Sequence, residues 1–510
     1  STLSDDRRQR QMCIRDRPSI DRRRFLAGSL ATGAAVVAPR NALGAQDASP
    51  YGSLQGRTPD TNGIVLPEGF TSRVIARSGE TTGSGSYRWH PFPDGGATFS
   101  TDDGGWVYVS NSENIQAGGG GVGAVAFDAD GTILESYPIL DGTLRNCAGG
   151  ATPWGTWLSC EEFEFPVEDP LPDELEVRAG RVWETDPTGN RDPVVRPALG
   201  VFSHEAVAVD DERQQLYLTE DQLDGLLYRF TPDAYPDLSS GLLEAAVVAD
   251  DGSVTWAEVP DPSAAEVNTR SQVPDATPFA GGEGVWYENG TVFFTTKFDV
   301  KVHAYEIEPS TISVLYDGGP AGENAPLRGV DNIVGDRAGD LFVAEDLRGE
   351  DPIEIVLVTA EGLVAPFLQV TGQDSELVGP AFSPDGTRLY FSSQSAISLT
   401  EGITYEVTGP FRHAASVTAP AAGGATATTT TTTSVPASPE TTTAPTTTAL
   451  AAVGETDGDG DGGDDNTTAL LFGGLVAAAA IAAGGALAWR SRRNHSDDDP
   501  PSGDEGSPRR

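Results

Sequence analysis

A short hydrophobic segment that follows a turn and ends in polar or charged residues recurs six times in the middle of this chain. A second segment with alternating apolar and polar residues follows most copies, as in Val122–Gly131 and Gly180–Gly189. Period-two alternation between turn residues is typical of strands rather than helices. The six copies are Gly105–Val109, Gly155–Leu158, Leu216–Leu218, Gly290–Phe294, Asp340–Val343 and Thr387–Phe391.

The spacing of these copies, from about 48 to 77 residues, indicates a β-propeller, because sheet-sized repeats are typical of propeller blades. The longer intervals leave room for inserts such as Asp233–Pro274. A pair of β-sandwiches is the alternative all-β arrangement, but six similar units favour one ring. We therefore predict an all-β fold with a six-bladed β-propeller over residues 60–412.

The beginning of the sequence resembles an export signal. Residues 1–17 do not resemble a native protein segment, and we predict that they are non-native. In residues 18–46, Asp21 and Arg22–Leu26 precede a short apolar run that ends in small residues. The pattern R-R-x-F-L resembles the twin-arginine motif, which predicts the twin-arginine export machinery as a partner. An ordinary helix start with chance arginines is the alternative.

The composition changes after Gly409. Residues 413–468 are rich in Thr, Pro and Ala and then in acidic residues, a composition that predicts a disordered stalk. Ala469–Trp489 carries no charge over a length that can span a bilayer. Arginines at its far side predict that residues 490–510 are a cytoplasmic tail. The propeller would then lie at the outer face of the cytoplasmic membrane, anchored by one transmembrane helix.

The formal net charge of -43 at pH 7 excludes some functions. So acidic a surface repels phosphate backbones and anionic lipid, so we expect no nucleic-acid partner.

The three cysteines cannot build a disulfide-rich scaffold, and stability must come from a hydrophobic core. Only Lys297 and Lys301 are lysines. We expect a monomer.

The polar ends of the repeated segments predict a cation site. In a propeller the first two strands of each blade end near one central channel, which would collect many carboxylates around a single axis. Such a cluster is stabilised by a bound cation; oxygen ligands suit calcium, and a thiolate also suits iron or zinc. The alternative is that most of these acids only cap strands. The residues concerned are Glu113, Asn146–Cys147, Glu161–Glu162, His204–Glu205, Glu220–Asp221, Glu283, Asp331–Asn332 and Glu345–Asp346.

Two of these residues have other interpretations. Cys147 and Cys160 are thirteen residues apart across an expected hairpin, so a disulfide between them is feasible outside the cell. His204 is either a core residue or a support for a metal ligand. No G-x-S-x-G, P-loop or H-E-x-x-H motif occurs.

The segment Arg145–Glu162 (RNCAGGATPWGTWLSCEE) resembles the signature of the PhoX-type alkaline phosphatases. Phe202–Val207, Asp331–Ile333 and Gly379–Gly386 resemble the same family in order, over residues 65–410. The resemblance implies a propeller that hydrolyses phosphomonoesters with an iron–calcium cluster, Fe3+ and Ca2+, in its channel. It implies Cys147 as the thiolate between irons.

The resemblance also implies the remaining ligands: Glu162, Glu205 and Glu283 as carboxylate ligands, with Asp331 and Glu345 on the calcium side. Glu113 completes the predicted metal set. The chain departs from the family in Ser112, where many members have His, and in Gly281, where longer members have an arginine. Lys297 is the candidate to replace that arginine as a catalytic residue, and a surface lysine is the alternative.

Three functional hypotheses follow. The first is an exported, metal-dependent phosphomonoesterase that acts on small molecules. The second is a calcium-dependent lactonase or phytase-like hydrolase on the same fold, which would need no thiolate. The third is a non-catalytic surface-binding propeller, for which a Cys147–Cys160 disulfide would be the sign.

Overall fold

Antiparallel strands joined by tight turns form six separate sheets, and the all-β prediction is confirmed. The computed structural model describes residues 49–165, 178–360 and 362–413, and in these residues the only helices are three short 3-10 turns at Pro197–Leu199, Thr269–Gln272 and Gly322–Asn324. Each sheet is one propeller blade of four or five strands.

The first three blades are formed by consecutive strands. Blade 1 contains β3 (Pro93–Ser100), β4 (Trp106–Ser112), β5 (Gly120–Phe127) and β6 (Ile133–Thr143). Blade 2 contains β7 (Asn146–Ala151), β8 (Trp157–Glu161), β9 (Val182–Thr185) and β10 (Val194–Val195). Blade 3 contains β11 (His204–Asp210), β12 (Gln215–Glu220), β13 (Leu227–Ala234), β14 (Asp237–Val248) and β15 (Val254–Glu258). The predicted insert in Asp233–Pro274 is therefore partly an outer strand pair of blade 3.

The last three blades include the ring closure. Blade 4 contains β16 (Gly282–Glu288), β17 (Thr291–Thr296), β18 (Lys301–Glu306) and β19 (Thr311–Asp317). Blade 5 contains β20 (Val330–Gly335), β21 (Leu341–Glu345), β22 (Ile353–Val358), β23 (Val364–Val370) and the N-terminal β1 (Ile64–Val65). Blade 6 contains β24 (Leu377–Phe382), β25 (Arg388–Ser398), β26 (Glu401–Thr408) and the N-terminal β2 (Thr71–Arg77).

The ring closes in two ways. The first strands of neighbouring blades contact one another all the way round, in the order β3, β7, β11, β16, β20, β24 and back to β3. In blade 6, β2 pairs antiparallel with β26, from Thr71 opposite Thr408 to Arg77 opposite Ile403. This pairing joins the two ends of the propeller and covers the sheet edges that an open array would expose.

The hydrophobic core lies between the blades rather than in the channel. Apolar side chains from facing sheets form six main clusters, one for each pair of neighbouring blades. The cluster between blades 5 and 6 also buries Tyr51, whose ring packs edge-on against Phe70 and Phe367. Packing therefore begins before the predicted boundary at residue 60. Because the apolar faces are used between blades, the polar ends of the inner strands are left to line the axis.

Several predicted segments lie outside the described residues. They are the non-native segment 1–17, the export signal 18–46, nearly all of the stalk 413–468, the transmembrane segment 469–489 and the tail 490–510. Among the residues that the structure does describe, no helix has the length and apolar character needed to cross a membrane.

Candidate active site

A β-bulge interrupts the pairing of the first two strands in every blade. An extra residue on one strand twists it and changes the direction of its side chains. In five blades, the residue just inside the bulge carries a carboxylate or thiol, namely Asp94, Cys147, Glu205, Glu283 and Asp331. The six register shifts fall at Pro93/Gly96, Asn146/Gly149, His204/Val207, Gly282/Val285, Val330/Ile333 and Val378/Ala381. The fold thus brings one carboxylate or thiol to the axis from each of five blades, and blade 6 has Gly379-Pro380 at this place.

These side chains form three overlapping groups of potential metal ligands. Within each group the ligand atoms lie within 4.8 Å of one another. Cys147 belongs to the first two groups and Glu205 to the last two, so the groups form one continuous acidic ring. They are Asp94–Glu113–Cys147, Cys147–Glu162–Glu205 and Glu205–Glu283–Asp331. We call these seven residues the acidic ring.

The structure brings together six of the seven ligands expected from sequence: Glu113, Cys147, Glu162, Glu205, Glu283 and Asp331. Asp94 is the member that sequence reasoning missed. Its strand, Pro93–Ser100, has the sequence PDGGATFS and lacks a clear apolar alternation. The signal that could have found it is the repeat register, since a polar residue stands at the same place in blades 2 to 5.

The structure does not bring Glu345 to the acidic ring. Its Oε1 accepts a hydrogen bond from the backbone N–H of Arg328 (2.8 Å), and its Oε2 accepts one from Glu354 (3.1 Å). Glu161 likewise accepts from the backbone N–H groups of Leu144 and Arg181. In both blades the last residue of the second strand, Glu161 or Glu345, accepts hydrogen bonds from backbone groups. The residue that follows it, Glu162 or Asp346, contacts the channel groups.

Burial makes the ring electrostatically costly without a cation. Glu205 is fully buried, and its Oε2 has no hydrogen-bond partner in the described structure. Burial and the neighbouring Glu283 raise its pKa well above the usual range. Burial, then Asp94, raises the pKa of the Cys147 thiol in the same way. A cation would reverse both effects, so the donor set and the orphaned oxygen fit a bound metal.

Arg145 contributes positive charge at the edge of the ring, a residue whose role the sequence did not reveal. Its Nη2 donates to Glu113 Oε1 (2.5 Å) and to Glu162 Oε2 (2.8 Å). Its side chain is 28% exposed, so it lies between the ring and solvent. The backbone of Arg145 has φ 48°, a left-handed conformation that is costly for this residue type and is common at functional sites.

Lys297, the predicted catalytic residue, is engaged by carboxylates. Its Nζ lies 2.7 Å from Glu283 Oε1 and 3.7 Å from both Asp221 Oδ2 and Asp346 Oδ2. It is therefore a built-in counter-ion on the blade 4 side of the ring and not a lone surface lysine.

A second arginine, Arg348, follows β21 in blade 5 and reaches the ring through Gln394. Arg348 Nη2 donates to Gln394 Oε1 (2.7 Å) and contacts Glu376. The amide of Gln394 in turn donates to Asp94 Oδ2 (2.7 Å) and Glu113 Oε2 (2.9 Å). Gln394 thus links the guanidinium of Arg348 to the ring.

The disulfide alternative is not realised. Cys147 and Cys160 are both free thiols and both buried. Cys160 belongs to the hydrophobic cluster between blades 2 and 3, whereas Cys147 belongs to the ring. His204 is a core residue, because its ring packs against Phe202 with centroids 3.5 Å apart and burial lowers its pKa to about 3.

Gly281 lies where the family resemblance leads one to look for an arginine. It has φ +71°, and a Cβ there would lie 2.6 Å from Cδ2 of Phe298 and 3.1 Å from Oδ1 of Asp221. A larger residue at this position is therefore strained by its backbone and by its neighbours. The aromatic ring of Phe298 takes up the adjacent space.

Comparison with known proteins agrees with the sequence motif. The solved structure of Pseudomonas fluorescens PhoX in complex with vanadate, a transition state analogue, has a TM-score of 0.57 and 16% identity, covering 69% of this chain and 97% of that one. A gluconolactonase from Xanthomonas campestris has a TM-score of 0.36 and 13% identity, covering 66% and 95%. No curated protein matches the chain. Residues 104–312 match the family model of the alkaline phosphatase PhoX, as the resemblance of Arg145–Glu162 predicted.

Proposed function

We propose that this protein is a metal-dependent phosphomonoester hydrolase whose cations bind in the acidic ring. The observation that carries the proposal is the composition of that ring, six carboxylates and one thiol, all but Glu113 fully buried, with an orphaned oxygen on Glu205. The match of residues 104–312 to the alkaline phosphatase PhoX family supports the same activity. The carboxylates suit Ca2+, and the thiolate suits iron or zinc; the similarity to the PhoX family favours Fe3+ at Cys147.

The bound cations would polarise the phosphoryl oxygens and neutralise the charge that develops on them. Positive charge of the chain itself is available beside them. Arg145 bridges Glu113 and Glu162 and remains partly exposed, so its guanidinium can donate to a phosphoryl oxygen that enters from solvent. Arg348 supplies a second guanidinium next to Gln394. A guanidinium has five N–H donors, so both arginines keep donors free beyond their own ion pairs with carboxylates. The three donors of Lys297 already face Glu283, Asp221 and Asp346.

The thiol distinguishes this proposal from a calcium-dependent lactonase or phytase-like hydrolase, because calcium ligation makes no use of sulfur. The free state of Cys147 and Cys160 weakens the case for a non-catalytic propeller held by a disulfide. Neither alternative has an observation of its own in the channel.

The test is hydrolysis of p-nitrophenyl phosphate by protein purified without chelator, together with elemental analysis. We expect turnover with iron and calcium present, and its loss after chelation. Cys147→Ala should lose iron and activity. Cys160→Ala is the matched control, because it removes an equally buried thiol outside the ring. Absence of turnover in the metal-loaded wild type would refute the proposal.

We also propose export by the twin-arginine route and anchoring by residues 469–489. The motif Arg22–Leu26 and the uncharged run Ala469–Trp489 support this localisation. Protease added to intact cells should release the propeller from the surface. Replacing Arg22 and Arg23 by lysine should keep it inside, and surface exposure of that variant would contradict the route.

A further inference from the structure

Exposed apolar side chains follow channel residues in four of the six blades. Ten large hydrophobic side chains are exposed in the described part of the chain, and five of them lie at or just beyond the end of an inner strand. Each comes one to five residues after a channel residue of its blade, that is after Glu113, Asp221, Lys297 or Gln394. The five are Ile115, Leu223, Phe298, Ile397 and Leu399, and we call them the apolar collar.

The best-defined part of the collar is beside Lys297. The backbone N–H of Lys297 donates to the carbonyl of Gly281 (2.8 Å), and the N–H of Gly281 donates to the carbonyl of Gln222 (2.8 Å). These bonds hold the loops of Leu223 and Phe298 side by side. Leu223 is 71% exposed and Phe298 is 54% exposed, although Phe298 rests on Gly281 along one side.

The order of groups along the channel suggests what the collar contacts. Exposure increases in this order: the acidic ring is the most buried, Arg145, Lys297 and Arg348 beside it are partly exposed, and the collar residues are the most exposed. A phosphomonoester that enters with its phosphate toward the cations leaves its organic group at the level of the collar. A polar organic group gains little there, whereas an apolar one removes collar surface from water.

We propose that the collar selects phosphomonoesters with an apolar organic group, and that Phe298 and Leu223 are its principal contacts. This inference rests on the proposed phosphatase function and adds a substrate class to it. Continuity of the collar with the ring through Lys297 and Gly281 argues for the substrate as occupant.

The test compares two substrates with the same leaving-group chemistry. Hexyl phosphate and glycerol 1-phosphate both release a primary alcohol, so their kcat/KM ratio reports the contact of the organic group. We expect the metal-loaded wild type to favour hexyl phosphate. The double variant Leu223→Ser/Phe298→Ser should lower the ratio about tenfold, the low end of what one methylene contact contributes in a binding pocket. The loss should lie mainly in KM for hexyl phosphate.

Leu134→Ser is the matched control, because Leu134 is an exposed apolar residue on β6, outside the loops that bear the collar. It should leave the ratio unchanged. Because both replaced collar residues are exposed, we expect the double variant to fold. If it does not fold, the single variant Leu223→Ser replaces it in the test.

The outcomes separate the two proposals. If neither substrate is hydrolysed, the phosphatase function fails. If both are hydrolysed but the wild type does not favour hexyl phosphate, or the double variant keeps the ratio, the collar proposal fails alone. Sedimentation that shows a dimer abolished by the double variant would assign the collar to a second copy of the chain and overturn the proposal.

Discussion

Replacement of Glu205 by glutamine should stabilise the metal-free protein and weaken the further stabilisation that metal provides. Glu205 is fully buried, with Oε1 3.3 Å from the amide nitrogen of Asn332 and with no hydrogen-bond partner at Oε2. Without metal, the carboxylate faces Glu162, Glu283 and Asp331. Because burial raises its pKa well above the usual range, this carboxyl must take up a proton when the metal-free protein folds. A glutamine is neutral without that proton and can donate to these neighbours.

The size of the effect follows from these contacts. An unsatisfied buried polar group costs about 1–3 kcal/mol, so Glu205→Gln should raise the free energy of unfolding of chelated protein by roughly that amount. With metal, the same change removes a shared ligand of two groups. Loss of even a residue one shell further out lowers metal affinity about 10–100-fold, which is about 1.4–2.8 kcal/mol. Metal should therefore stabilise the variant by about 1.4–2.8 kcal/mol less than it stabilises the wild type.

The assay is urea unfolding at pH 7.5 in chelator and in excess calcium and iron. Glu220→Gln is the matched control, since Glu220 is equally buried but its Oε2 accepts hydrogen bonds from Leu226 N–H and Tyr228 O–H. It should destabilise the protein in both conditions. If Glu205→Gln lowers stability equally with and without metal, Glu205 is a structural acid and the cation argument is refuted.

Four further predictions concern the ring and its surroundings. Arg145→Gln should lower kcat/KM for p-nitrophenyl phosphate about 10²–10³-fold with the metal content unchanged, and a near wild-type rate would remove Arg145 from phosphate binding. Gly281→Ala should lower the free energy of unfolding by more than the ~1–2 kcal/mol of its left-handed backbone, because of the contact with Phe298; Gly339→Ala, with φ +84° and open space, is the control for the backbone part. In protein denatured without reductant, Cys147 and Cys160 should both react with a thiol reagent. If neither reacts, the two cysteines form the disulfide that the sequence left open. Burial raises the pKa of Glu161 and Glu345 to about 8, so above the pKa of the unfolded chain these groups take up protons on folding. The stability of chelated protein should therefore fall from about pH 5 to pH 8, by up to ~1.4 kcal/mol per pH unit for each group. A stability that does not change with pH in urea unfolding would contradict these shifts.

The propeller could be predicted from the sequence because the second and third strands of most blades show period-two alternation between turns. The segments with this pattern correspond to β4, β8, β12, β17, β21 and β25 and to the strands that follow them. Strand parity limited what could be predicted of the site. At the ends of β8 and β21 two acids stand side by side, and only the fold decides which one turns toward the axis. In the first pair the predicted ligand, Glu162, lies among the channel groups. In the second pair Asp346 contacts Lys297, whereas the predicted ligand, Glu345, accepts hydrogen bonds from backbone groups.

Other features of the site depend on backbone conformation, which the apolar pattern of the sequence does not predict. The bulge in each first strand turns Asp94 and its equivalents inward, and the left-handed φ of Arg145 places its guanidinium between two blades. Neither is encoded by apolar periodicity, which records only which face of a strand packs against a neighbouring sheet.

The positions of the built-in cations indicate where the ring still lacks positive charge. Arg145 pairs with Glu113 and Glu162, and Lys297 pairs with Glu283. Within the described residues, Asp94, Glu205 and Asp331 form no ion pair, and the Cys147 thiol lies among them. Buried carboxylates without a counter-charge are either protonated or bound to a cation. Of the three ligand groups, Glu205–Glu283–Asp331 contains two of these unpaired carboxylates and each of the others contains one. A cation in that group would serve the largest number of unpaired oxygens, and this part of the ring is where we expect the first metal to bind.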